Sequence, residues 1–547
     1  MAATIDQPRQ GFANGAVSPP AASDAGEGLQ RQIGPVALLF TGITGIIGSG
    51  WLFASLYAAQ IAGPAAIVSW LIGGGVALLL ALIYAELGGM LPLAGAIARI
   101  PYFSHGAMSG FMAGWLCWVA YVATAPIEVT AVLQYASNYL PWLTKSVGGN
   151  RVLTSHGIVV ATTLLFAFVI INLAGVRWLA RANLAVTSWK LAIPLLAVAG
   201  LVVFGFDSHN FTDHGGFMPT GVDGIFAAVA GGGVIFSLFG FRTVIDMAGE
   251  ASNPQRTVPL AMVGAVLISL LIYVLLQIAF IGAVPAAHLS GGWTRLAENV
   301  ADGPFAAFAT ILGLQGLAAL LYVDAFISPA GTGIAYTGAT ARINYALAEN
   351  GQLPRLFMRL NAAQVPVWSI AINFVVGLLL LLPLPGWSQL IGFISSAAIL
   401  SLAFGPVSLA ALRHQIPQHR RPFRLKAGVA VSALSFVLVG CIVYWAGWQT
   451  NWKVFALAVL GGIGLLALRA WTGALDRLDL RQSLWFWLFI GGLAAISFLG
   501  NYGGGLGVLP KYGDLLIVGG FSLLVFRVAV NDRLPSSETE AMIRSAT

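Results

Sequence analysis

Charge is what this sequence has least of. Only 9% of its 547 residues are Asp, Glu, Lys or Arg, against about 25% in an ordinary soluble domain. Between Arg31 and Glu86 there is none at all, room for two apolar spans of about 20 residues each. With 58% hydrophobic residues and a mean hydropathy of +0.85, a soluble domain is excluded. A membrane β-barrel is excluded too, because its strands would alternate apolar and polar residues in segments of about 10. Cysteine is scarce as well: Cys117 and Cys441 are the only two, and both lie in apolar runs. That argues against a disulfide framework or a thiolate metal site and leaves two thiols facing lipid or core. The N-terminus lacks the basic start and apolar core of a signal peptide. Residues 1–32, rich in Gly, Pro and Ala, are expected to form a disordered cytoplasmic tail. The histidines (His105, His156, His209, His214, His288, His414 and His419) are scattered. No spacing among them suits a metal, and a surface position is expected for all.

What remains is apolar helix. Hydropathy, broken by Gly, Pro and charge, predicts fourteen spans, at 33–59, 64–91, 106–139, 155–175, 184–205, 222–247, 258–286, 305–340, 366–384, 387–412, 427–447, 452–471, 483–500 and 513–530. With the N-terminus inside, twenty of the 27 Lys and Arg residues fall on the cytoplasmic side, including the loop "RHQIPQHRRPFRLK". Five fall outside, and two, Lys190 and Arg242, lie within spans. This asymmetry follows the positive-inside rule, and it accounts for the net charge of +7 without a nucleic-acid partner. Both termini are therefore expected in the cytoplasm, with the chain crossing the inner or plasma membrane many times and the lipid bilayer as its surroundings. No soluble signalling domain is visible, which argues against a receptor. No nucleophile, base or metal cluster is visible either, which argues against an enzyme.

Two spans are interrupted. Gly42, Gly45, Gly48 and Gly50 crowd the first, "LLFTGITGIIGSGWLF", and Gly231–Gly233 with Gly240 disturb the sixth. Each glycine costs a helix about 1 kcal/mol relative to alanine, and bare backbone at membrane depth is tolerated only where it lines a cavity or is buried in protein. A cluster on its own would read as close helix packing. "GIIGSG" is no phosphate loop, because no strand precedes it and no Lys follows. Paired interruptions in the first span of each half instead predict a carrier with inverted repeats. The expected fold is thus all-α: a five-plus-five inverted-repeat (leucine-transporter-type) core, residues 33–205 and 222–412, with spans one and six discontinuous. Four extra C-terminal spans, 427–530, and a cytoplasmic tail, 531–547, complete it.

Three loops carry a resemblance. "YAELGGMLPLAGAIARIP", "GEASNPQRTVPLA" and "ARINYALAENGQLPRLFMRLNAAQVPVWS" resemble the amino acid–polyamine–organocation permeases, in order, over about residues 33–425. Within that superfamily, "GFRTVIDMAGEASNPQ" and "APIEV" look most like bacterial aspartate–proton symporters. The resemblance implies a substrate held midway through the membrane between the two interrupted spans. It implies that Gly48, Ser49 and Gly50, next to Ile46, present backbone amides to the substrate carboxylate, as a half-helix N-terminus can. Carbonyls around Phe236 and Phe239, near Gly240, would receive the ammonium, and the Phe236 ring would shut over it. Phe241 reads as packing. Spans eleven to fourteen lie outside the repeat and would face lipid or a second copy in a homodimer.

Ionisable residues inside spans are costly and mark function by default. Lys190 matches the span-five lysine of proton-coupled members, where an ammonium stands in for sodium; the alternative is a lysine snorkelling to the surface. Arg242 stays protonated and suits a carboxylate clamp, or it forms an internal pair with Asp246. Glu128 and Asp324 occupy equivalent spans of the two repeats, and either could carry the proton or pair with Lys190 or Arg242. Glu86, at the inner end of span two, is expected to be structural or gating. The expected function is proton-coupled uptake of an amino acid, an acidic one first, with no cofactor and no sodium. Neutral or cationic substrates, polyamines and exchange are the alternatives on the same scaffold.

Overall fold

Glycine and proline set where this chain bends, and the bends set where its charged residues meet. A computed structural model describes residues 33–546 apart from 148–149, 175, 297–301, 383–385, 474 and 476–477, and apart from the side chains of 150, 176–183 and 389. The expected 1–32 tail lies outside the described residues.

Helix α1 (Pro35–Ile46) opens on a proline, whose fixed φ suits a first turn. It stops at Ile47 (φ −87°, ψ 88°) and Gly48 (φ −123°, ψ −138°), and α2 (Ser49–Ala62) resumes at once. Gly63, with φ +63°, turns the chain into α3 (Ala66–Met90). Helix α4 (Ala96–Ala136) is kinked at Gly106 (φ 80°, ψ −171°). The span expected from residue 106 therefore begins at a bend, and a helical segment, 96–105, precedes it.

After α5 (Ser155–Leu173) and α6 (Val176–Gly205), the sixth span is a chain of short helices. These are α7 (Gly221–Gly231), α8 (Val234–Leu238) and α9 (Arg242–Asp246). Gly233 takes φ +86° between the first two, and the segments before and after the break bend by 46°. Helix α10 (Pro254–Ala283) follows.

The span expected at 305–340 is divided. Helix α11 (Pro304–Ile311) ends before Gly313, at φ 74°, and α12 (Gln315–Glu349) starts afresh. The chain continues through α13 (Val367–Leu381), α14 (Trp387–Leu402) and α15 (Phe404–Gln415). Next come α16 (Gly428–Trp445), α17 (Trp448–Trp471), α18 (Leu480–Leu499) and α19 (Gly513–Asn531). Among the described residues eleven helical stretches are long and apolar enough to cross a membrane, or twelve if the bent sixth span counts as one. Helices α1 and α13 are apolar but shorter.

Two expectations need correction. The chain is mostly rather than wholly helical, because β1 (Thr144–Val147) and β2 (Asn150–Leu153) form an antiparallel hairpin with Thr144 opposite Leu153. The C-terminal segment packs against the rest of the chain. Its helix α20 (Ser536–Ala546) sends the Thr539 hydroxyl to the Phe103 carbonyl (3.0 Å), while Gln415 Nε2 bridges the Ser104 and Leu534 carbonyls at 3.0 and 2.8 Å. His105 is not at the surface. It is 1% exposed, with ring nitrogens against the Ser104 hydroxyl (2.8 Å) and the Ala529 carbonyl (2.9 Å), because segment 96–105 tucks beneath the C-terminal helices.

Aromatic packing joins the added helices to the rest. Phe226 of α7 stacks on Trp445 of α16 at 4.4 Å, and Trp485 of α18 sits edge-on to Phe404 of α15 at 5.0 Å. Cys117 and Cys441 are both buried and unbridged.

Candidate functional site

The two interrupted segments cross where each has only backbone to offer. A Cβ placed on Gly240 would lie 2.0 Å from the Gly45 carbonyl carbon, so glycine alone lets α1 and the 239–241 turn approach this closely. Just beyond the crossing is a small cavity, with room for about one water molecule. Gly48 and Gly50 line it from the first break, Phe236, Phe239 and Arg242 from the second. Thr124 and Glu128 come from α4, Thr332 and Tyr336 from α12, and Ile394 and Ala398 from α14.

At the first break the Ser49 N–H, freed by the interruption, donates to Glu128 Oε2 at 2.7 Å. The amide at this half-helix start therefore already holds a carboxylate. The Ser49 hydroxyl accepts from the Trp387 indole at 2.9 Å, and that ring stacks on Tyr57 at 5.3 Å. Gly48 has no room for a side chain: its Cβ would come 2.7 Å from Glu128 Oε1 and 2.8 Å from the Thr332 hydroxyl. The Ile46 carbonyl accepts from Tyr273 at 2.9 Å.

Lys190 lies one layer behind and does not snorkel; it is fully buried. Its ammonium donates to the Thr332 hydroxyl (2.7 Å) and the Thr44 carbonyl (3.2 Å). Thr332 in turn donates to the Thr44 carbonyl at 2.9 Å. Threonine 332 thus joins the lysine to the unwound end of α1 and borders Glu128. The ammonium thereby ties α1, through the Thr44 carbonyl, to α12, through the Thr332 hydroxyl.

Arg242 is 2% exposed. Its Nε donates to the Phe239 carbonyl at 3.2 Å, and its guanidinium lies 4.7 Å from the Tyr121 ring centre and 5.6 Å from that of Phe239. Nη1 has no hydrogen-bond partner. Among the described residues no ion pair joins Arg242 to Asp246. Asp246 instead accepts from the Tyr121 hydroxyl at 2.6 Å through Oδ2, and its Oδ1 has no partner.

Other candidates stand apart from the cavity. Gly240 makes the helix crossing and does not line the cavity. Asp324 is enclosed by donors: Trp51 Nε1 at 3.0 Å, Trp189 Nε1 at 2.7 Å and the Ser328 hydroxyl at 2.7 Å. Phe241 is fully buried outside the lining. Glu86 sits elsewhere, bound by Arg413 Nε (3.0 Å) and Nη2 (2.6 Å) and by the Leu425 N–H (2.7 Å), with Arg421 Nε at 3.5 Å, and so fastens α3 to the end of α15 and the loop after it. Sequence reading did not single out Thr44, Tyr121, Thr124, Thr332, Tyr336, Trp387, Ile394 or Ala398. The available signal was polar or aromatic residues within apolar spans, a weak one because such residues abound. No group of three or more His, Cys, Asp or Glu that could hold a metal ion occurs among the described residues.

Many apolar helices around a small cavity, with a buried cation at one side and the start of α2 at the other, define a multi-pass membrane protein with a buried polar site. A family model for amino acid permeases matches residues 33–466. Two relatives are from Bacillus subtilis strain 168. The glutamate/serine transporter AimA is 37% identical over 507 residues, covering 91% of this chain and 93% of its own. The aspartate-proton symporter is 36% identical over 513 residues, covering 93% and 98%. A methylthioribose transporter of the same organism is 25% identical over 462 residues, covering 77% and 94%. The chain belongs to the amino acid permease family, within the amino acid–polyamine–organocation superfamily.

Proposed function

We propose that this permease takes up an acidic amino acid, aspartate or glutamate, together with protons and by alternating access. The observation that carries the reading is the pairing, around one cavity, of a half-helix amide at Ser49 with an arginine whose Nη1 is unpartnered. An acidic amino acid has two carboxylates to satisfy both. The names of the two Bacillus relatives support the same substrate class. In this reading the α-carboxylate takes the Ser49 amide from Glu128, and the side-chain carboxylate takes Arg242. The ammonium meets carbonyls near Phe236, and the Phe236 ring closes over the ligand.

Glu128 and Lys190 form the proton-coupling site through Thr332. Displaced from the amide, the Glu128 carboxylate is relieved of its buried charge by a proton. The proton is the coupling ion, with no sodium and no cofactor. The scaffold is a five-plus-five inverted repeat, 33–205 and 222–412, whose spans one and six are the discontinuous ones, with the termini in the cytoplasm. Asp324, enclosed by two indoles and a serine, serves as a positioning residue for Trp51 rather than as a proton carrier. The protein is a carrier and performs no covalent chemistry.

Proteoliposomes that hold the purified full chain test this directly. An inward proton gradient without sodium should drive radiolabelled aspartate uptake, with unlabelled glutamate competing. Uptake that requires sodium and ignores pH, or competition by basic but not acidic amino acids, would overturn the reading.

A further inference from the structure

Arg242 and Asp246 sit one turn apart on α9, and each has an unpartnered atom. Arg242 Nη1 and Asp246 Oδ1 are buried and without hydrogen-bond partners, and Tyr121 serves both residues. Its ring lies beneath the guanidinium and its hydroxyl donates to Asp246 Oδ2. The groups facing Asp246 are few. They are Tyr121 and Cys117 from α4, Tyr84 from α3, Tyr336 and Arg342 from α12, and Arg242 on its own helix. Arg342 is itself engaged by Glu250 at 3.4 Å. Arg242 is therefore the cation that balances Asp246 when the cavity is empty, across the Tyr121 ring rather than by contact.

Resting on the acidic-substrate reading above, we propose that Asp246 carries a second proton, taken up when the substrate's side-chain carboxylate engages Arg242. Arginine does not give up its proton. Once a substrate carboxylate occupies the guanidinium, two carboxylates share one buried positive charge, and the surplus negative charge is relieved by a proton. The proton comes from the aqueous side that the cavity faces and forms an O–H on Asp246 Oδ1, the oxygen without a partner. Oδ2 keeps its bond from Tyr121. On release inside, Arg242 is freed, Asp246 gives the proton to the cytoplasmic water, and the pair is balanced again. Together with the proton at Glu128–Lys190, aspartate of charge −1 travels with two protons, so each cycle moves one positive charge inward.

Charge movement separates one proton from two. With one proton the cycle is electroneutral, and the equilibrium accumulation of aspartate does not respond to voltage. With two, an inside-negative potential of 100 mV raises accumulation about 50-fold, and each pH unit raises it about a hundredfold rather than tenfold. The experiment measures the equilibrium accumulation of radiolabelled aspartate in proteoliposomes with potassium–valinomycin potentials and set pH differences. The expected result is the 50-fold voltage response for the natural protein and its loss in Asp246→Asn, with the pH response reduced to tenfold. Accumulation by the natural protein that ignores voltage, or an Asp246→Asn variant that keeps the full response, would overturn the proposal.

If Asp246→Asn does not fold, Tyr121→Phe replaces it. That variant keeps the ring under Arg242 but removes the hydroxyl bonded to Asp246, which then holds its proton through the whole cycle, and the voltage response is lost likewise. A full voltage response in Tyr121→Phe would overturn the proposal as well. Aspartate uptake driven by pH alone with one proton would defeat this inference and leave the proposed function standing. Absence of aspartate uptake would defeat the proposed function itself.

Discussion

Replacing Gly240 by alanine tests whether the two interrupted segments touch as described. The new Cβ would lie 2.0 Å from the Gly45 carbonyl carbon and 2.2 Å from both the Gly45 oxygen and the Ile46 nitrogen. Carbon atoms rest about 3.5–4.0 Å apart, so the segments must separate by roughly 1.5 Å or more. All three opposing atoms are backbone, and no side chain can rotate away. Overpacking of this kind costs about 1–3 kcal/mol, and here it also displaces Ile46, which lines the cavity. Gly75, in α3, is the control: nothing lies within 4 Å of its Cβ position, so alanine there is expected to be neutral or to add up to about 1 kcal/mol of helix preference. The assay is thermal unfolding of the purified protein in detergent, paired with aspartate uptake in proteoliposomes. Gly240→Ala should melt lower and transport poorly, while Gly75→Ala should melt at or above the natural protein. A Gly240→Ala protein with natural melting and uptake would refute the contact.

Arg242→Gln removes a charge-assisted hydrogen bond worth about 1.5–3 kcal/mol. Aspartate binding should weaken roughly 10- to 150-fold in a competition assay while any binding of serine is unaffected; equal losses for both would point to collapse of the cavity. Trp387→Phe keeps the ring against Tyr57 and loses the bond to Ser49, so a drop of about 0.5–1.5 kcal/mol in stability is expected, read as a small fall in melting temperature. Glu86→Gln breaks a buried pair held by Arg413 and Leu425, with an expected cost of about 3–5 kcal/mol. It should show the largest loss of melting temperature of this set, because Arg413 and Arg421 are both left beside it without a countercharge.

How much of this could be read from the sequence differs from residue to residue. Gly48 and Gly231–Gly233 stand in apolar runs where the helices end, yet glycine alone does not decide this, since Gly73, Gly74 and Gly75 run through the unbroken α3. Buried charge is visible, since Lys190, Glu128, Arg242 and Asp246 stand out in runs with almost no others. What the chain does not display is who faces whom. Trp387 meets Ser49 from 338 residues away, and Thr332 meets Lys190 from 142 residues away. Neither residue type is rare enough in a span to attract notice. Arg242 and Asp246 are spaced for an i,i+4 pair, yet Tyr121 stands between them, and only packing of α4 decides that. Asp324 is visible as a charge in an apolar span, but its partners, two indoles and a serine, are not. The hydropathy window joined α11 to α12 because Gly313 is a single residue in an otherwise apolar stretch. His105 looked like a loop residue because the helical segment before Gly106 has too many polar neighbours to read as a span.

The central claim is that one amino acid is held by both breaks at once, and a cryo-EM map of the full chain with aspartate bound tests it most directly. One ligand carboxylate is expected within hydrogen-bonding distance, about 3 Å, of the Ser49 amide, with Glu128 displaced, and the other within the same distance of Arg242. Aspartate found away from both, or a chain running from Thr44 to Gly50 as continuous helix, would contradict it.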